Sequence, residues 1–249
     1  MKNRLLAILL CSLTACSYGG DATVLSGGNA IGGPASAIID LRASRSFAGP
    51  TQFPPSGFAG YGIVVFPTNP TSSQERFMMI CRAYLAAISP IAALRRSRVP
   101  ESAQMVTVMP VSTDELADEL NADENSDDVC KEALSNYDLV RAQNAIKKAE
   151  DAADLTDGLQ SLSGRGPFLL AWSPGQSFGS DDVLVLAADL SNTSTPEQAI
   201  SDMRTWRRDI EQDPNQWRRG WNIEGIRLLA QRWVDRRGDA IIKLIGNWS

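Results

Sequence analysis

The chain has 249 residues, 24 basic and 29 acidic side chains, a formal net charge of −5, and 43% hydrophobic residues. This is the composition of a folded domain rather than of a disordered segment. It contains no histidine. That excludes a Ser-His-Asp triad, a Cys-His dyad and any zinc or haem site with an imidazole ligand. Proton transfer near neutral pH would fall to perturbed carboxylates, tyrosines or lysines.

Lys2 and Arg4 precede the apolar run Leu5 to Cys11, which is too short to span a bilayer and has the layout of an export signal. The run ends in Leu13-Thr14-Ala15-Cys16. This tetrapeptide resembles the lipobox of bacterial lipoprotein precursors, and the resemblance covers the export segment only. It implies cleavage before Cys16 and lipid attachment to the Cys16 thiol. The protein would then sit in the bacterial envelope, anchored by lipid to the outer membrane and facing the periplasm, with Ser17 after the cysteine consistent with outer-membrane sorting. Loss of residues 1–15 leaves 22 basic and 29 acidic residues, a net −7. With Cys16 lipidated, Cys81 and Cys130 remain, and an oxidising periplasm favours a disulfide between them over two separate buried thiols.

Residues 16–57 read as the lipidated cysteine followed by a flexible tether, with Gly19-Gly20, Gly27-Gly28, Gly32-Gly33, Pro34, Pro50 and Pro54-Pro55. Within it, residues 37–41 could form an early strand or a docking segment. The globular domain is expected over residues 58–249. Residues 62–66 and 105–109 are β-rich runs, each closed by a proline. Ser72-Ser73-Gln74-Glu75 and Ser112-Thr113-Asp114-Glu115 open helices after them. Residues 113–157 hold 14 acidic against 4 basic residues and include an amphipathic helix over 138–153. Residues 168–172 and 183–187 read as strands joined by a glycine-rich hairpin loop. Thr195-Pro196 begins a helix to about 212, and a last helix is expected over 222–245.

This order predicts an α/β fold, a three-layer sandwich on a small, mostly parallel four-stranded sheet with a C-terminal helical pair. Parallel pairing is expected for the first three strands and antiparallel pairing for the fourth. An α+β fold with helices on one face is the alternative.

Catalytic patterns fail on their surroundings. Gly175-Gln176-Ser177-Phe178-Gly179 has the letters of a nucleophile elbow, but a strand rather than a helix follows and no histidine exists. Residues 121–132 only faintly follow a calcium loop, with Ser126 where glycine is required. No metal site or cofactor is expected. In open parallel sheets ligands bind beyond the carboxyl ends of strands, and those ends here offer Asn69, Thr113, Asp189 and Asn192. The C-terminal third carries five of the six tryptophans and many arginines, either as amphipathic core helices or as a partner surface.

The resulting expectation is a non-catalytic interaction or accessory subunit of an envelope assembly, with a membrane contact through its lipid, a protein partner and no nucleic acid. A small-ligand-binding lipoprotein using the strand-end residues is the second reading. A carboxylate-dependent envelope hydrolase using Asp181, Asp182 and Asp189 is the third.

Overall fold

A computed structural model describes residues 40–70, 74–123, 126–154, 162, 165–178, 185–219, 229 and 242–245. The export segment, Cys16 and the expected tether up to residue 39 lie outside the described residues. So do residues 179–184 and most of the expected last helix.

One mixed sheet organises the chain. Its strands are β1 (Arg42–Ala48), β2 (Gly60–Val65), the two-residue β3 (Ser89–Pro90), β4 (Gln104–Pro110), β5 (Phe168–Trp172), β6 (Val185–Asp189) and β7 (Ile242–Ile245). Their spatial order is β3-β1-β4-β2-β5-β6-β7. Pairing is parallel for β3-β1, β1-β4 and β4-β2, and antiparallel for β2-β5, β5-β6 and β6-β7. Strands β1, β4, β2 and β6 therefore run one way, and β5 and β7 the other.

The α/β class expected from the sequence holds, and the details change. The sheet is larger than four strands and evenly mixed. The strand at 168–172 is antiparallel to β2, not parallel, with Val65 opposite Phe168 and Tyr61 opposite Trp172. An antiparallel β5 has to start at the edge of the sheet where β4 ends. Three helices follow β4: α3 (Asp114–Ala122), α4 (Ser126–Ser135) and α5 (Leu139–Asp154). The first two form a return, because Ser112 N–H donates to Asn136 O at 2.9 Å and Val111 bridges Tyr137. The chain is thus back at its starting edge before α5 begins.

Two further expectations are corrected. The tether does not extend to residue 57: β1 sits between β3 and β4, with Leu41, Ala43, Phe47 and Ala48 buried. And residues 242–245 are a strand, not the end of a helix; Ile-Lys-Leu-Ile pairs along β6, where β-branched residues suit a pleated surface.

The remaining helices are α1 (Gln74–Ala87), α2 (Ile91–Arg96), α6 (Pro196–Gln212) and α7 (Pro214–Arg219). They cover both faces of the sheet with α3 and α5. On one face, α1 and α6 pack together. Trp206 of α6 donates its indole N–H to Thr107 Oγ1 at 3.0 Å, and Tyr84 of α1 stands edge-on to Phe47 at 6.1 Å. Gly62 lies beside Thr107 in register. A Cβ there would come within 2.7 Å of Met105 Cε, so the glycine leaves room for the side chains under α6.

Tyr61, one residue earlier, points to the opposite face. There it meets Phe53, Phe178 and Trp172 at 5.1, 5.0 and 6.1 Å, and α5 supplies Arg141 over Phe53 and Lys148 over Phe178. On the edge side, where β3 ends, Asn121 of α3 takes over the pairing of Phe47, accepting from its N–H and donating to its C=O at 2.9 Å each. That side-chain amide closes an exposed strand edge. Cys81 of α1 and Cys130 of α4 are joined by a disulfide.

Candidate functional site

The four strand-end residues share one edge of the sheet, because β2, β4 and β6 all leave it there. They are not gathered into one site. Thr113 caps α3, accepting from Leu116 N–H at 3.2 Å. Its neighbour Asp114 binds the N–H and hydroxyl of Thr51, and the Thr51 hydroxyl holds that carboxyl below its ordinary range. Asp189 accepts from Ser191 N–H at 2.8 Å in a tight turn. It lies two strands across from Val65, the last residue of the strand that leads to Asn69. Asn69 and Asn192 are exposed.

The Asp189 end does hold buried donors. Arg76 of α1 donates to Leu190 O and Ser191 O at 2.9 and 2.5 Å. Its Nε and the Ser191 hydroxyl are buried and have no hydrogen-bond partner among the described residues. Burial lowers the Arg76 pKa, and the Asp189 charge opposes that shift.

A better-formed site lies on the α1/α6 face, away from the strand ends. Arg45, in the middle of β1, projects from the sheet into a cavity of about 390 Å³ between α1, α4 and α6. Met79, Ala83 and Ala86 of α1 line one wall at helical spacing, Val129 of α4 a second, and Pro196 and Ile200 of α6 a third. Arg82 and Asp123 complete the lining. The disulfide fixes this geometry, since Cys81 precedes Arg82 and Cys130 follows Val129.

Arg45 is half-buried. Its Nε donates to Ile88 O at 3.0 Å, just past the end of α1, and its guanidinium carbon lies 5.9 Å from the Tyr84 ring centre. Burial lowers its pKa, and the Tyr84 hydroxyl partly offsets this. Among the described residues no carboxylate pairs with it. No hydrogen bond among the described residues engages its two Nη groups. Arg82, by contrast, is paired with Asp127 at 2.9 Å.

A second groove of about 530 Å³ lies near Pro54, Phe58, Pro174 and Phe178, and its cation, Arg218, is already engaged. Among the described residues the Arg45 cavity has one carboxylate in its lining, Asp123.

No sequence signal points to Arg45: residues 42–48, Arg-Ala-Ser-Arg-Ser-Phe-Ala, lack the alternation of a half-buried strand and lie among the glycines and prolines of the expected tether. The tryptophans divide. Trp206 and Trp217 are buried and stack edge-on at 5.6 Å, so they belong to the core. Trp221, Trp233 and Trp248 lie outside the described residues, as do Asp181 and Asp182. Among the described residues no group of three or more cysteines and carboxylates could hold a metal ion, and no helix is long and apolar enough to cross a membrane. Comparison with protein-family models, with curated proteins and with solved structures finds no match to this chain.

Proposed function

We propose that the chain is a lipid-anchored protein of the bacterial envelope, held at the outer membrane through Cys16 and facing the periplasm, whose α/β domain binds a small ligand in the cavity between α1, α4 and α6. The lipobox residues support the anchor. Arg45 supports the binding: its two Nη groups face a cavity whose walls, apart from Arg82 and Asp123, are apolar, so they are placed to hold the polar end of a ligand.

The test is to purify the protein from its own membrane in mild detergent and identify the small molecules that come with it. Ile200→Trp, which fills the cavity from the α6 side, is the comparison. A stoichiometric compound depleted by the substitution is expected, and identical profiles from both proteins would overturn the reading. Cys16→Ala should move the protein to the soluble fraction, and continued membrane fractionation would reject the anchor.

The accessory-subunit reading keeps one support, the exposed Arg204 and Arg208 on the outer face of α6. It expects a co-purifying chain that is lost when both are changed to glutamate.

A further inference from the structure

We infer that the cavity takes a monocarboxylate with an aliphatic tail, its carboxylate on the two Nη groups of Arg45 and its tail against Met79, Ala86, Val129 and Ile200. This rests on the binding-protein reading and names its ligand class.

Charge is the first selector. Among the described residues Arg45 is the one cation of the lining without a carboxylate partner, since Arg82 is paired with Asp127. One negative charge is neutralised there. The second charge of a phosphate would remain uncompensated against the aliphatic part of the walls.

Geometry is the second. A purely structural arginine capping the end of α1 needs one donor, and Nε supplies it at Ile88 O. The remaining end-on pair of Nη groups matches the two oxygens of a planar carboxylate.

The walls are the third. Apart from the two arginines and Asp123 the lining is aliphatic, and Met79 is a flexible thioether that adapts to a chain of variable shape. The volume of about 390 Å³ lies at the small end of ligand pockets, which run roughly 300–1,000 Å³. A shallower groove shares Met79, Arg82 and Pro196 and continues along α1 toward Met78 and Lys131, giving a longer tail an exit.

The experiment is calorimetric titration of the mature chain carrying Cys16→Ala, which needs no detergent, with octanoate, octan-1-ol and inorganic phosphate. Octanoate should bind one per chain, at least about tenfold tighter than octan-1-ol, and Arg45→Met should weaken it by a similar factor. Ile200→Trp should abolish it. Comparing octanoate with octan-1-ol on the unsubstituted chain needs no variant, so the inference stays testable if Arg45→Met fails to fold.

Octan-1-ol binding as tightly as octanoate would overturn the carboxylate while leaving the binding-protein reading standing. Phosphate binding more tightly than octanoate would overturn both the tail and the single charge. No octanoate binding would overturn the inference, and the co-purified compound would still decide the reading beneath it.

Discussion

Three of the four tyrosines are buried at positions where a phenolate would be costly. Tyr137 donates to Val64 O and accepts from Phe66 N–H at 2.9 and 3.0 Å, so one hydroxyl satisfies the end of β2. Tyr84 has Ser46 O and Thr107 O both at 2.8 Å as acceptors for its one proton, and accepts from Ser46 N–H at 3.0 Å. The Tyr61 hydroxyl is buried and has no hydrogen-bond partner among the described residues. In each case burial pushes the phenol above its ordinary value.

The sign of the pH effect follows. Below the unfolded value of about 10 both states are protonated and the stability is fully present. As pH rises above it, the unfolded chain releases protons that the folded chain keeps, and stability falls by up to about 1.4 kcal/mol per pH unit for each phenol. Absorbance titration of the native protein should show Tyr61, Tyr84 and Tyr137 ionising only as the chain unfolds. Ionisation of these three phenols in the native state would contradict this. Tyr137→Phe should cost about 1–3 kcal/mol in a denaturant melt, because it leaves Val64 O and Phe66 N–H buried and unpaired.

At the scale of elements, helix starts were legible because their signals are local. Thr195 accepts from Gln198 N–H in a capping box with Pro196 at the first position, as its sequence pattern predicts. Thr113 does the same for α3 without the reciprocal contact. Strand β1 was not legible, because its polar residues do jobs that only the tertiary fold assigns. Ser44 Oγ donates to Met105 O, Arg45 enters the cavity, and Ser46 meets Asn121. Gly49 at its end is equally silent in sequence. A Cβ there would run into the backbone of Thr113 and Asp114, where the chain leaving β1 passes the start of α3. Gly49→Ala should therefore destabilise by about 1–3 kcal/mol, and an unchanged melting temperature would show that this crossing is looser than described.

The disulfide between α1 and α4 closes a loop of 49 residues. Its reduction should cost about 4 kcal/mol in the chain-entropy model, a fall in melting temperature of roughly 10 °C for a domain of this size. Because it also holds Arg82 and Val129 in place, reduction below the melting temperature should weaken ligand binding in the cavity. Equal affinity before and after reduction would show that packing alone keeps the walls together.

The whole molecule turns on where the folded unit begins. Composition placed that boundary at residue 58, since glycine and proline punctuate everything before it. Residues 39–249 nevertheless form one compact unit, and β1 joins the two-residue edge strand to β4 through seven paired positions. Removing it would expose Met105, Val106, Val108 and Met109 along one side of β4. It would also take Leu41 and Phe47 out of the core and delete Arg45. Losing a buried phenylalanine alone costs about 3–5 kcal/mol, against a typical total stability of about 5–15 kcal/mol. A chain starting at residue 39 should therefore melt cooperatively, whereas one starting at residue 58 should not fold, even though every strand read from the sequence is still present in it. Circular dichroism melts of the two chains decide the matter. A cooperative transition from the shorter chain would return β1 to the tether and remove Arg45 from the site.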